Sequence, residues 1–283
     1  MNIEISNICN LQCSFCPPVE REKKMMSLEV FESVITQVAP LTDQVTLHLM
    51  GDPLVHPKLA EFLDICEAHK VPVFLVTNGV LMNAVKEELL LRPILRQVNF
   101  SLHSFHDNYG DKDPTIYLSK IFKYTRRAME ERPELYINYR LWNLDDPMGT
   151  GQQNRSMLDR VCTEFGFTFN QDIDVRRNKS VRIQNRLHLH FDTEFTWPSV
   201  DLPILGTRGT CYGLSSHFGV LADGTVVPCC LDKEGKIPLG NVKEASIETI
   251  LASDRSVKIL KGFKDNKLVE NLCQRCQYIT RFN

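Results

Sequence analysis

No apolar run in the 283 residues approaches the roughly 18 needed to suggest a membrane-spanning helix. The opening MNIEISNICN has neither the basic nor the apolar region of a secretory signal. These two absences predict a cytoplasmic protein that does not enter a membrane. There is no excess of either charge: the formal net charge is −2, so no global basic field attracts nucleic acid. The two basic runs, Arg21–Lys24 and the cluster Arg176, Arg177, Lys179 and Arg182, read as solvated faces. Neither an internal repeat nor a low-complexity tract is visible. What remains is an ordinary globular mix, 43% hydrophobic and 24% charged, long enough for one large domain or a domain with an appendage. Ten cysteines in a chain without an export signal are not expected to form a disulfide framework. They are better read as metal ligands, catalytic groups or buried apolar residues.

Strand-like and helix-like segments alternate through the first two thirds of the chain. Strands are expected at 3–6, 44–49, 73–77, 98–102, 136–142 and 181–191. Between them run amphipathic patterns, one capped by Ser27 with Leu28, Phe31, Ile35 and Val38 on its apolar stripe. Two further stripes are Leu59, Phe62, Leu63, Cys66 and Leu158, Val161, Cys162, Phe165. Such alternation implies a parallel sheet with helices outside. A full eight-unit barrel uses about 31 residues per unit, so the alternating region holds about six units. The fold expected is α/β, a partial (β/α)6 TIM-like barrel over 1–195 followed by a small C-terminal domain over 196–283. The Pro- and Gly-rich stretch after Phe195 reads as a linker. Beyond it are a hairpin around Asp223-Gly224 and one helix near Ser246–Leu251. A tail this small gains from a metal staple.

Cys66 and Cys162 sit on apolar stripes and read as buried small hydrophobes. The other eight cysteines form two groups. Cys9, Cys13 and Cys16 follow the first strand in the pattern C-x3-C-x2-C. Thiolates at this spacing select zinc, copper(I) or an iron–sulfur cluster. A structural zinc site needs a fourth ligand, and none lies nearby in sequence. An iron–sulfur cube held by three cysteines leaves one iron open to substrate. A structural zinc loop with a distant fourth ligand is the alternative.

At these residues the chain resembles the radical S-adenosylmethionine superfamily, whose signature is C-x3-C-x-aromatic-C, with Phe15 in the aromatic place. The resemblance implies a 4Fe–4S cluster on Cys9, Cys13 and Cys16 whose open iron chelates S-adenosylmethionine. It implies reductive cleavage to methionine and a 5′-deoxyadenosyl radical that takes a hydrogen atom from substrate. Relatives carry Gly-Gly-Glu-Pro after the second strand, where it binds the methionine amino group. Here the stretch is Met50-Gly51-Asp52-Pro53, so Gly51 and Pro53 match and Asp52 replaces Glu. A plain β-to-α turn is the other reading of these residues. The fourth strand ends Asn99-Phe100-Ser101-Leu102-His103, and by alternation Asn99, Ser101 and His103 point one way. The resemblance implies ribose contacts from Ser101 and His103. On the fifth strand Arg140 is suited to the methionine carboxylate, since a guanidinium matches a carboxylate fork. A surface ion pair is the alternative for Arg140. Of the eight histidines, His103 alone is placed in the site.

The second group is Cys211, Cys229, Cys230, Cys273 and Cys276. It resembles the SPASM domain of the same superfamily, opening C-x(9–15)-G-x4-C at Cys211, Gly224 and Cys229. A full domain has seven cysteines and two clusters, so the five here imply one auxiliary 4Fe–4S cluster in a shortened, SPASM/twitch-like domain. Its expected ligands are Cys211, Cys229, Cys273 and Cys276, with Cys230 as the spare that can replace Cys229. A structural zinc is the alternative.

The expected partners are a small-molecule or peptide substrate and an electron donor such as flavodoxin or ferredoxin. Net oxidation of substrate through the auxiliary cluster is one expected outcome. Only eight residues precede Cys9, which argues against a leader-dependent peptide modifier. Two other classes stay open: a non-catalytic, metal-stapled binding protein, and a radical enzyme that modifies nucleic acid.

Overall fold

The hydrophobic periodicity resolves into short strands and amphipathic helices in a computed structural model that describes residues 1–282. In chain order the elements begin β1 (Asn2–Ile3), α1 (Leu28–Val38), β2 (Val45–Thr46), α2 (Leu59–Ala68), β3 (Val73–Thr77) and α3 (Ala84–Leu90). Next come β4 (Leu95–Ser101), α4 (His103–Tyr109), α5 (Thr115–Glu131), β5 (Tyr136–Leu144), α6 (Arg155–Phe165), β6 (Ser180–Gln184) and β7 (Leu187–Thr193). The chain closes with β8 (Gly219–Val220), β9 (Thr225–Val227), β10 (Gly240–Asn241), α7 (Ile247–Leu251) and α8 (Asp254–Lys264). The residues gather into two compact units. One holds Met1–Cys9, Pro18–Pro72 and the chain from Phe195 onward; the other holds Asn10–Pro17 and Val73–Glu194.

In the first unit β1 pairs in parallel with both β2 and β8. β8 and β9 form the expected hairpin, and β10 adds antiparallel to β9. Gly224 sits in the hairpin turn at φ 95°, which favours a residue without Cβ. Helix α1 starts where predicted, because Ser27 Oγ accepts the Val30 N–H (3.3 Å), a cap worth about 1 kcal/mol. Its Phe31 meets Phe62 of α2 edge-on, ring centroids 4.4 Å apart, with Val34, Ile35, Leu59 and Leu63 fully buried around them. The tail has one helix more than expected: α8, capped by Ser253, follows α7 directly.

Arg21 does not lie on a solvated face. Its NH2 group donates to both carboxylate oxygens of Glu4, at 3.0 and 2.9 Å, and Glu4 also accepts the Ala222 N–H (3.1 Å). Burial pushes the Glu4 carboxyl up, and Arg21 opposes that rise. Arg21 Nε donates to the Lys233 carbonyl (2.6 Å), while Glu234 accepts the N–H groups of Glu20 and Arg21. A buried carboxylate needs such partners, and this one draws the cation in from the surface.

In the second unit β3, β4, β5 and β7 run parallel. The segment 181–191, expected as one strand, is two: β6 turns back antiparallel on β7 through Asn185-Arg186, with Asn185 at φ 46°. A two-residue hairpin link of this kind takes Asn in the left-handed region. One sheet face carries Val98, Phe100, Tyr139, Leu141, Leu189 and Phe191, all buried. Rings from α5 and α6 pack on it: Phe122 and Phe165 lie 6.2 and 6.3 Å from Tyr139. The two fully buried phenols are satisfied, Tyr124 OH on the Leu90 carbonyl (3.0 Å) and Tyr139 OH with Thr125 Oγ1 (2.7 Å). By alternation the other face bears Asn99, Ser101, Asn138, Arg140, Trp142, His188 and His190. Cys66 is fully buried as expected, whereas Cys162 on α6 is only partly covered.

Candidate active site

Within the second unit the loop Asn10–Pro17, which carries Cys13 and Cys16, is tied down by polar side chains. Gln12 N–H donates to Asn108 Oδ1 (2.9 Å), and Ser14 donates to Asp107 through its N–H (2.7 Å) and hydroxyl (2.5 Å). Asn108 Nδ2 donates to Cys13 Sγ (3.1 Å) and to the Ser104 carbonyl (2.9 Å). Cys16 N–H closes on the Cys13 carbonyl (3.1 Å). Asn10 and Asn78 form an amide pair, with Asn78 Nδ2 on Asn10 Oδ1 at 2.9 Å. Phe15 lies against the His103 ring, centroids 4.7 Å apart. Asn78, Asp107 and Asn108 are not singled out by the sequence; Asp107 and Asn108 lie inside α4, where no local pattern marks them.

His103 is not on the strand. β4 stops at Ser101, and His103 opens α4, so alternation does not set its direction. Its Nδ1 lies 3.0 Å from the Arg140 carbonyl and 3.4 Å from the Trp142 N–H. The shorter contact requires a proton on Nδ1, which leaves Nε2 as the acceptor. Burial, and less so the Arg140 charge, depresses the imidazole, while the bond to the Arg140 carbonyl opposes that; the result is about 4.

Arg140 projects from β5 with its guanidinium 4.1 Å over the Trp142 ring and 5.7 Å over Phe74. Oriented to satisfy its neighbours, the Asn99 amide presents its oxygen to Arg140 Nε (2.7 Å). Among the described residues Arg140 forms no ion pair with a carboxylate, so the surface ion pair is not its role. Burial alone pushes its guanidinium down to about 9. Trp142 Nε1 donates to His190 Nδ1 (3.0 Å). Burial, then Arg140, lowers His190 to about 4. Ser101 ends β4 in register with Arg140.

In the first unit, Cys9 is exposed. Gly51 stands at φ 73°, where an added Cβ would collide with the Ser6 carbonyl and come within 2.7 Å of Ile8 O and 2.9 Å of Ile8 N. Asp52 N–H donates to the Ile8 carbonyl (3.0 Å). Its Oδ1 caps the single turn Pro53–Val55 by accepting the Leu54 N–H (2.9 Å). The Gly51-Asp52-Pro53 turn therefore packs on the backbone directly ahead of Cys9.

The five tail cysteines also lie in the first unit. Burial raises all five thiols, and they raise one another: Cys229 feels Cys230, Cys273 and Cys211, and Cys273 feels Cys276 and Cys211. Cys230 is pushed up to about 11 by burial, with Cys211 and Cys276 adding to it. Thiols that oppose each other's ionisation in a buried place are the donor set that a cationic metal group resolves. Among the described residues no three His, Cys, Asp or Glu side chains close on a single ion.

Residues 3–162 match the family model described as the radical SAM superfamily, and 211–277 match SPASM, described as an iron–sulfur cluster-binding domain. The GTP 3′,8-cyclase of Desulforamulus reducens is 26% identical over 138 residues, 46% of this chain and 42% of that protein. The PqqA peptide cyclase of Gluconobacter oxydans is 30% identical over 101 residues, 35% of this chain and 28% of that protein. The match thus spans under half the length of these curated relatives. Among solved structures, BtrN in complex with AdoMet and 2-DOIA has a TM-score of 0.61 at 16% identity, over 98% of this chain and 91% of that one. Streptococcus suis SuiB bound to its precursor peptide SuiA has a TM-score of 0.61 at 14% identity, over 99% and 71%. At these identities the likeness is one of fold: an α/β, TIM-like barrel architecture with a C-terminal SPASM domain.

Proposed function

The chain belongs to the radical S-adenosylmethionine superfamily, and from that premise we propose that it is an enzyme that cleaves S-adenosylmethionine reductively and abstracts a hydrogen atom from a small-molecule or peptide substrate. Cys9, Cys13 and Cys16 hold a 4Fe–4S cluster in this reading. When bound, that cluster supplies the electron that breaks the sulfonium C–S bond, giving methionine and a 5′-deoxyadenosyl radical.

The observation that carries the reading is the lashing of the Cys13 loop to α4. Asn108 Nδ2 donates to Cys13 Sγ, and Asp107 holds Ser14. An N–H aimed at a sulfur favours its thiolate form, and a fixed loop presents ligands without reorganisation. Gly51 lets the following turn press on the Ser6–Ile8 backbone, and Pro53 starts that turn. The Gly51-Asp52-Pro53 segment thereby frames the methionine amino group with backbone, since Asp52 Oδ1 is already engaged in capping. Arg140 takes the methionine carboxylate: it is cationic, stacked and without an acidic partner among the described residues. Ser101 and His103 contact the ribose, His103 as an acceptor through Nε2.

The functional domains are 1–195 and 196–283. In the second, Cys211, Cys229, Cys273 and Cys276 hold one auxiliary 4Fe–4S cluster, with Cys230 as the spare thiol. A cytoplasmic setting and a flavodoxin or ferredoxin donor complete the proposal; no helix among the described residues is long and apolar enough to cross a membrane.

Iron, sulfide and zinc content of anaerobically purified protein tests the assignment. About eight irons per chain is the expected result, four for each cubane. About four irons with zinc would replace the auxiliary cluster by a structural zinc. Zinc without iron would leave a metal-stapled binding protein and end the proposal.

A further inference from the structure

β6 is the outermost strand of the second unit's sheet and pairs with β7 on one side only. The Lys179 carbonyl accepts the Phe191 N–H (2.8 Å), so those two residues form a bonded pair across the ladder. Bonded and non-bonded pairs alternate in an antiparallel ladder. Val181–Leu189 is therefore bonded, and Ser180 and Arg182, opposite His190 and His188, turn their N–H and C=O groups away from β7. No described residue takes up those outward groups.

The same register places the Ser180 and Arg182 side chains on the sheet face that carries His188, His190 and Arg140. Both residues are exposed, while Val181 and Ile183 are half-buried toward the opposite face. The edge is strongly basic. Between Asp174 and Arg186 there are five Lys or Arg residues and one acid. Arg176 and Arg177 both lean on Asp174, and Lys179 on Asp192, but Arg182 pairs with no described acid.

An uncovered edge with unpaired backbone groups is a template for another strand, and a cation on it repels a second copy of itself. The same cation attracts an acidic segment. We propose that the free edge of β6 takes an extended, acidic peptide as an added strand, recognised by the outward backbone groups of Ser180 and Arg182 and by the Arg182 charge. Strand addition sets every second side chain of the peptide on the Arg140–His190 face, the one on which the proposed chemistry takes place. The inference rests on that enzymatic reading and names its substrate class: a peptide with acidic residues flanking the position to be modified.

The test uses the full-length, cluster-loaded protein and a fluorescent peptide alternating Glu and Val, followed by anisotropy. Binding is expected for this peptide and not for its Lys/Val counterpart. Arg182→Glu should weaken it by about tenfold or more. Ser180→Pro removes an outward N–H without touching the β7 ladder, and should weaken it by about fivefold. A version of the peptide N-methylated at alternate residues should lose binding while keeping its charge. Equal binding of the N-methylated or Lys peptide overturns strand addition, as does binding of single-stranded RNA in place of peptide. 5′-Deoxyadenosine release from S-adenosylmethionine and dithionite is measured on the same protein. Release without peptide binding removes this inference alone; peptide binding without release keeps the docking edge and removes the enzymatic reading.

Discussion

His103 links a single side chain to the stability of the whole fold. Its imidazole sits near 4 in the folded chain against an ordinary 6.5, because burial disfavours the cation. The unfolded chain therefore binds the proton more readily. The stability this residue contributes is fully present above pH 6.5 and is lost as the pH falls through about 4. The swing is on the order of 3 kcal/mol. Urea unfolding across that window, at matched metal loading, should show a steep loss in the parent protein and a shallower one in His103→Gln. Equal slopes would contradict the burial argument. At this scale the C-x3-C-x2-C spacing is legible because its residues are close in sequence, and Cys13 and Cys16 share the short loop Asn10–Pro17. Asn108 is not: it reaches Cys13 from 95 residues along the chain, and nothing local distinguishes it from any helical asparagine.

Elements were legible where periodicity and punctuation agree. β3 falls on the expected residues, and Ser27 caps α1 as its position implies. They were misread where punctuation is weak. Apolar residues alternate on both sides of the β6–β7 turn, which contains neither Gly nor Pro, so two strands looked like one. Leu102-His103 continued the alternation of β4 although the backbone had already entered α4. Gly51 shows the opposite case, in which one residue without a side chain fixes an element. Its positive φ and its contact with the Ser6–Ile8 backbone leave no room for Cβ. Gly51→Ala should cost more than about 2 kcal/mol in thermal or urea unfolding and disturb the segment leading to Cys9. A melting temperature within a degree or so of the parent would show that the turn relaxes freely.

For the molecule as a whole, the sequence pattern indicated an α/β architecture with a cysteine-bearing tail, and the fold agrees. The chain passes from one compact unit to the other between Glu194 and Phe195. Less visible was that the tail completes the unit that contains the N-terminal strand. β8 pairs in parallel with β1, and the Glu4–Arg21 pair is finished by Ala222 and Lys233. Such contacts join residues more than 200 positions apart, beyond the reach of local pattern. The central claim is that Cys9, Cys13 and Cys16 serve radical cleavage of S-adenosylmethionine, separately from the tail cysteines. It is tested most directly by 5′-deoxyadenosine release under anaerobic reduction in the parent protein, Cys13→Ala and Cys276→Ala. The account predicts release by the parent, none by Cys13→Ala, and retained release by folded Cys276→Ala. Release by Cys13→Ala at the parental level, or none from an iron-loaded parent, would contradict it.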